Sequence, residues 1–456
     1  MARFPSCGCS FANTVSCGET FGDTSCGITV GGKYEGSMKD IDYYKDLLQD
    51  FFADRMSELL RKPSGILKHP YIVAGSSFYS TMLWDWDSWF ANIALRQLAV
   101  RNDWLEESLP KYEIGCIRNF ADHTLPNGFM PIVLEKDGAY SFATPKGDEW
   151  INMHKPVIAQ HCAFVLAQNP KMTLPREVMD TLLRFIDAYY AHFYHKETGL
   201  FFWQDDCAIG VDNDPCTYYR PKKSSGSILL NSFMYRELQA LASIYERDGE
   251  MKSALELKRK AECLGAAVNR HCFDERDGSY YSVDLALLPV DPAQNLHSGG
   301  PRTWDSLIMR WDVWSNILPL WAGIAGQDEA RGTYERIIDP STFWAPYGVR
   351  TLSRKEKMYN LAATNNPSNW LGPVWGVSNY LSFRALCKYG FEEKAEELAE
   401  KTILLFGRDV ERTGTTHEYY NPDTGEAIMT PDFINWNALV LNMIAWLNGG
   451  RVIEEF

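Results

Sequence analysis

What most constrains this chain is an alternation in the length of its connections. About twelve amphipathic stretches run along it, short turns follow every second one, and connections of roughly 20 to 40 residues follow the others. If the stretches pair as helical hairpins, with the tight turn at one end and the long connection at the other, all six long connections emerge on one side. The spacing therefore predicts an all-α fold, an (α/α)6 barrel built as a six-hairpin toroid, with an active face made of loops.

Apolar residues recurring at helical period predict helices over 38–61, 87–100, 105–121, 156–167, 174–194, 227–247, 251–270, 307–322, 328–338, 374–389, 391–406 and 432–447. Asp432 is placed to cap the last helix, and Gly449 with Gly450 to end it. Long connections without regular structure are uncommon unless they work. The unusual clusters all lie in them: Trp84-Asp85-Trp86-Asp87, Leu125-Pro126-Asn127-Gly128-Phe129-Met130-Pro131, Gly210-Val211-Asp212-Asn213-Asp214-Pro215, Pro301-Arg302-Thr303-Trp304-Asp305, Asn369-Trp370-Leu371-Gly372-Pro373-Val374-Trp375, and His417-Glu418-Tyr419-Tyr420-Asn421-Pro422.

No linker or shift in composition divides residues 38–450, so one catalytic domain over 37–456 is expected, preceded by a Cys/Gly-rich extension over 1–36. That extension holds Cys7, Cys9, Cys17 and Cys26 but lacks the positive-then-apolar order of a signal peptide. The 456 residues are 45% hydrophobic, enough for a large core, and no apolar run approaches the ~18 residues that span a membrane. A net charge of -14 opposes binding to nucleic acid or anionic lipid. The one basic knot, Arg220 with Lys222 and Lys223, reads as a solvated loop or as a clamp for a negatively charged part of a small substrate.

Eleven cysteines, an odd number without CxxC or zinc-like Cys/His spacing, argue against full disulfide pairing and point to a reducing cytoplasm. No phosphate loop, dinucleotide fingerprint or metalloprotease pair occurs, so no cofactor is expected. Asp85, Asp87, Asp205, Asp206 and Asp214 lack the spacing of a calcium loop, and no metal is expected either.

Fifteen Trp and 23 Tyr crowd the loops. Flat apolar ring faces beside carboxylates suit sugars, whose C–H faces stack while their hydroxyls need acceptors. Trp84, Trp86, Trp370 and Trp375, each flanked by polar or Gly/Pro loop residues, are candidate pocket walls. Hydrolysing a glycosidic bond requires two carboxyls on opposite sides of the anomeric carbon, one protonated and one ionised. Asp212 sits in a tight turn near Trp203 and Tyr218, where apolar aromatic surroundings raise a carboxyl pKa. Glu418, between His417 and Tyr419, is isolated enough to serve as base toward water. Taken singly, an acid in either place is more often a cap or an ion-pair partner. Further candidates are Phe129 as a pocket floor, Gln160 (with His154 and Lys155) at the pocket or in the core, and Trp436 as pocket lining or core packing.

The Gly210–Pro215 turn resembles the Gly-Trp/Met-Asp-Asn-Ser-Pro element of glycoside hydrolase family 63 and the Gly-Trp-Asp element of trehalases. His417-Glu418-Tyr419-Tyr420-Asn421-Pro422-Asp423-Thr424-Gly425-Glu426 is similar to that family's Glu-Asn/Tyr-Tyr-Asn/Asp-Pro-x-Thr-Gly-Glu signature. Residues 369–375 resemble its Tyr-Trp-Arg-Gly-Pro-Val-Trp segment, and residues 84–89 its first aromatic loop. The four come in the family's order, from about residue 70 to the end.

The resemblance implies an (α/α)6 barrel and an exo-acting α-glycosidase working with inversion on a small α-glucoside or related glycoside. Position by position it makes Asp212 the general acid, Glu418 the general base, Asp87 the acid that holds sugar hydroxyls, and Trp370 and Trp375 pocket walls, with His417 and Tyr419 flanking the base. The chain is most similar to the compact members, which include mannosylglycerate and glucosylglycerate hydrolases. Leu371 stands where the family usually has Arg, Asn369 where an aromatic is common, and Val211 where Trp or Met is usual, so specificity for glycerate does not transfer. A carbohydrate epimerase or lyase, or a binding protein without activity, is the alternative on such a toroid. The nine histidines offer no two matched motifs for an epimerase, and a pure binder would need no acid and base facing one cleft.

Overall fold

Twelve α-helices occur among the described residues of the computed structural model, which are 40–75, 79–138, 145, 149–288, 302–362 and 368–456. They are α1 Ile41–Arg55, α2 Asp85–Ala99, α3 Asp103–Asp122, α4 Ile158–Gln168, α5 Arg176–His192, α6 Ile228–Arg247, α7 Met251–Cys272, α8 Leu318–Ala322, α9 Gln327–Ile337, α10 Gly376–Lys388, α11 Glu392–Thr413 and α12 Val440–Leu447. The chain divides into units 1–39 and 40–456. The expected extension with its four cysteines, the first residues of the first predicted helix and Pro301 lie outside the described residues.

The helices are of two kinds. Odd-numbered ones bury a single stripe, as α7 does with Ala254, Leu257, Ala261, Leu264 and Val268, the spacing of one helical face. Even-numbered ones are buried nearly all round: in α4 every residue from Ile158 to Leu166 is covered, and α2 buries most of its length. The even helices touch in series, α4 with α6, α6 with α8, α8 with α10, α10 with α12 and α12 with α2, while α2, α6 and α10 each pack on the odd helix that follows. A helix apolar on all sides needs neighbours on all sides, and this arrangement supplies them. The turns 100–102, 169–175, 248–250, 323–326 and 389–391 are short, and the alternation with long connections holds throughout. No helix among the described residues is long and apolar enough to cross a membrane.

Four boundaries differ from expectation. The helix expected over 391–406 runs on to Thr413, where Gly414 in a left-handed conformation ends it. The first helix stops at Arg55 and continues as a one-turn 3-10 helix and a short strand, Leu60–Arg61, paired with Tyr71–Ile72. The helix expected over 307–322 begins only at Leu318, with Leu307–Ile308 a strand paired to Val283–Asp284. A one-turn 3-10 helix, Trp314–Ile317, leads into it, and Pro319 falls in its first turn, where the missing N–H costs no helical hydrogen bond. The last helix starts at Val440 after a 3-10 turn, Trp436–Leu439, and Asp432 does not cap it. Its carboxylate instead accepts from the Thr415 hydroxyl (2.9 Å) and faces Arg55.

Short antiparallel sheets, not foreseen from the sequence, staple the long connections. Met82–Trp84 pairs with Val133–Glu135, and Val374–Trp375 pairs with His417–Tyr420, which pairs in turn with Ala427–Pro431.

At the short-turn end, the Arg96 guanidinium of α2 donates to both Glu113 oxygens of α3 at 2.6 Å and to Asn169 beyond α4 at 3.1 Å. Glu113 is fully buried, so removing its partner strands a charge. Arg96→Ala is expected to cost about 3–5 kcal/mol in urea unfolding, and Arg96→Met with Glu113→Leu to recover most of it. A loss for the single variant below about 1 kcal/mol, the scale of an exposed pair, would contradict this account.

Candidate active site

The site is assembled around a buried ion pair. Asp85 opens α2, and its carboxylate accepts from the Trp86 backbone N–H (2.7 Å), the Lys155 backbone N–H (2.9 Å) and the Lys155 ammonium (2.9 and 3.1 Å). The negative charge sits at a helix N-terminus, where the peptide dipoles favour it. Lys155 Nζ also lies 5.0 Å above the Trp86 ring. The connection between α3 and α4 is thereby tied to the start of α2.

Over this pair runs the loop that carries Asp212. Gly210 crosses it with φ +91°, and a Cβ there would meet Lys155 Cε at 2.6 Å and the Trp86 ring at 2.7 Å, so only glycine fits. Beyond Asp212, the Asn213 amide accepts from the Trp370 backbone N–H (2.7 Å) and donates to Asn369 (3.0 Å). Asp214 accepts from the Cys216 N–H (2.9 Å). Asn369, standing where an aromatic was expected, is fully buried and donates to the Asn360 and Ala362 carbonyls (2.7 and 3.1 Å), bracing both loops.

Glu418 comes from a different connection, on the strand His417–Tyr420. Tyr419 pairs with Trp375 across that strand and stacks on it at 4.7 Å, and a bulge follows at Tyr419/Tyr420. Behind the strand the buried Asp409 carboxylate holds His417 Nδ1 (2.7 Å) and the Tyr420 hydroxyl (2.9 Å). The Tyr79 hydroxyl donates to Glu418 Oε1 at 3.2 Å, while Oε2 is buried without a hydrogen-bond partner among the described residues.

Asp212 and Glu418 line one cavity of about 510 Å³. Trp84, Trp86, Asp87, Tyr218, Trp370, Trp375 and Trp436, all expected at the pocket, line it too. Trp370 and Trp375 stack at 4.0 Å, nearly parallel, with Trp314 behind Trp370 at 6.0 Å, and Trp436 meets Trp86 edge-on at 5.5 Å. Five of the six long connections contribute lining residues.

Burial raises two of the carboxyls. Asp87, held by the Asn435 amide (2.8 Å), is pushed to about 8 by desolvation and then by the charge on Asp85. Glu418 is pushed to about 7 by desolvation; hydrogen bonds from Thr430 and Tyr79 pull it down, and the Asp212 charge pushes it up. The two carboxyls therefore sense one another electrostatically.

Backbone strain gathers at the same place. The non-glycine residues with positive φ among the described residues are Ala208, Tyr219, Lys223, Thr430 and Asp432, all in the two loops that carry Asp212 and Glu418.

Five expected pocket residues lie elsewhere. Phe129 is buried against Trp150 because the Asn127-Gly128 turn folds it inward. The Gln160 amide is spent inside the core, donating to the Pro156 and Phe233 carbonyls and accepting from Arg236. Trp203 is buried in the core, and His417 and Tyr419 are turned onto Asp409 and Trp375 behind Glu418. Two cations of the basic knot are paired, Arg220 with Asp284 and Lys222 with Glu149, and the third, Lys223, is exposed and is not among the cavity-lining residues. Tyr79, Cys207 and Phe433 line the cavity without a sequence signal that singled them out, and Asp206, weighed from the sequence only as a calcium ligand, lines it too. Among the described residues no group of three or more His, Cys, Asp or Glu side chains is placed to hold a metal ion.

This helix-rich architecture, with aromatic loops around paired carboxyls, is that of a glycoside hydrolase fold. The chain resembles a solved family 63 mannosylglycerate hydrolase from Thermus thermophilus, in complex with glucose, with a TM-score of 0.60 and 20% identity over 87% of this chain and 100% of the other. Residues 80–436 match the model of the mannosylglycerate hydrolase MGH1-like glycoside hydrolase domain, and the chain belongs to that family.

Among curated relatives, a probable mannosyl-oligosaccharide glucosidase of Schizosaccharomyces pombe is 24% identical over 63% of this chain and 36% of its own length. The mannosylglycerate hydrolase of Rubrobacter radiotolerans is 26% identical over 47% of this chain and 42% of its own. The match thus spans well under half of each of these two proteins.

Gly210→Ala forces a Cβ into Lys155 and Trp86 and moves the Asp212 loop. Stability is expected to fall by about 1–3 kcal/mol and kcat/KM by roughly 100-fold, read by thermal melts and by glycoside hydrolysis. Unaltered turnover would show that this crossing does not position Asp212.

Proposed function

We propose that this chain is an inverting, exo-acting α-glycosidase acting on a small α-glucoside or related α-glycoside. Asp212 protonates the glycosidic oxygen while Glu418 draws a proton from water on the opposite face of the sugar ring. The observation that carries this reading is that the two acids, remote in the chain, line one aromatic cavity, with Glu418 Oε2 buried and without a hydrogen-bond partner among the described residues. Trp84, Trp86, Trp370, Trp375 and Trp436 offer ring faces to the sugar, and Asp87, protonated at neutral pH, can donate a hydrogen bond to a hydroxyl.

The pair is coupled. With Asp212 protonated, its charge no longer raises Glu418, a smaller influence than the desolvation that dominates there. The contacts of the even helices in series, from α4 through α6, α8, α10 and α12 to α2, support a six-hairpin toroid with an inner and an outer ring. On this reading residues 40–456 are one catalytic unit acting on a small carbohydrate in the cytoplasm, without nucleic acid, membrane or cofactor.

Following the released sugar by NMR should reveal the β anomer first. Retention of the α configuration would refute the single displacement, and an epimer without release would favour the epimerase reading. Asp212→Asn and Glu418→Gln should each lower kcat by about 10²–10⁴-fold with the fold intact; near-normal activity in either would remove that residue from its role.

As pH falls through about 7, Glu418 takes up a proton and the base is lost, so kcat/KM should climb along its acid limb near 7. The same shift acts on stability with opposite sign. An unfolded Glu418 ionises near 4.5 while the folded one keeps its proton to about 7, so wild-type stability falls as pH climbs between those values. Glu418→Gln lacks this loss, and its melting temperature relative to wild type should rise from pH 5 to pH 8. A relative fall over that range would contradict the raised value.

A further inference from the structure

Beyond the cavity mouth, on the loop that carries Asp212, two tyrosines are set side by side. The Tyr218 ring lines the cavity, and the Tyr219 ring follows at 4.1 Å, 87% exposed. Tyr219 holds a left-handed backbone, φ +58°, with its N–H directed at Asp206, another lining residue, at 3.4 Å. A single exposed aromatic is ordinary. An exposed aromatic kept in a strained conformation, against a ring that enters the active cavity, calls for a ligand. A general acid stands at the glycosidic oxygen, so the rest of its loop flanks the departing group and not the sugar under attack.

Charge narrows that group further. Four lining residues carry carboxyls, Asp87, Asp206, Asp212 and Glu418, and one carries a cation, Lys155, whose ammonium is spent on both Asp85 oxygens. Beyond residue 39, the segments outside the described residues contain one Lys or Arg, Lys146. Among the described residues the cavity has no uncommitted cation to meet a carboxylate, whereas two adjoining rings, inclined at 44° to one another beside acceptors, suit a neutral ring with hydroxyls.

We infer that Tyr218 and Tyr219 form a stacking site for a second, uncharged sugar ring, so that the substrate is a glycoside whose departing group is itself a sugar rather than a hydroxy acid. The inference rests on the assignment of Asp212 as the acid. The test uses the full chain with matched substrates in the glucosyl and mannosyl series: the α-glycosyl fluoride, an α-linked disaccharide and the glycosylglycerate.

The disaccharide should exceed the glycosylglycerate in kcat/KM by at least tenfold. Tyr219→Gly, which relieves the strained φ and so spares folding, should raise KM for the disaccharide about tenfold, a loss at least fivefold larger than on the fluoride. Hydrolysis of the fluoride with equal or greater preference for the glycerate compound, or with equal losses on fluoride and disaccharide, would overturn the stacking site and leave the glycosidase reading standing. Failure to hydrolyse the fluoride in either series would overturn both.

Discussion

A buried ion pair between Asp85 and Lys155 organises the active face. It joins the first turn of α2 to the connection ahead of α4, and it presents Trp86 and Lys155 as the surface over which Gly210 passes. A buried pair of this kind gains little net stability, because desolvation offsets most of the attraction. Its value lies in fixing relative position: with either partner gone, an unpaired charge would remain beside the cavity and the loops that meet there would lose their common reference.

From that reference the two carboxyls acquire different surroundings. The Asp212 loop is held on both sides of the acid, by the Gly210 crossing and by Asn213, whose amide engages the Trp370 backbone and Asn369. Glu418 is held by the short sheet and by Asp409 behind it, and is left in a desolvated place with Tyr79 and Thr430 as its hydrogen-bond donors. One acid is positioned by backbone, the other tuned by burial. Among the described residues, the non-glycine positive φ values fall in these two loops, which fits a fold that spends stability where geometry matters.

Much of this was legible in the chain. The alternation of long and short connections rests on periodicity and on Gly stop signals, which are local, and it held. Asp212, Glu418 and the four loop tryptophans were legible because acids and aromatics gathered in connections have few structural reasons to be there. Errors arose where tertiary partners decide. Gln160, a polar residue beside a candidate loop, is consumed by the carbonyls of Pro156 and Phe233. His417 and Tyr419 flank Glu418 in sequence, yet a strand turns alternate side chains apart, so they face Asp409 and Trp375. Tyr79 was missed because the partner that gives it meaning, Glu418, lies far away in the chain.

The central claim is that Asp212 and Glu418 serve opposite faces of one sugar. A crystal structure of the Asp212→Asn variant holding an uncleaved α-disaccharide tests it most directly. The account predicts the glycosidic oxygen within hydrogen-bond reach of side chain 212 and a water on Glu418 across the ring, the two side-chain termini being roughly 6.5 to 9.5 Å apart. A separation near 5 Å with no room for that water, or a disaccharide bound away from either residue, would contradict it.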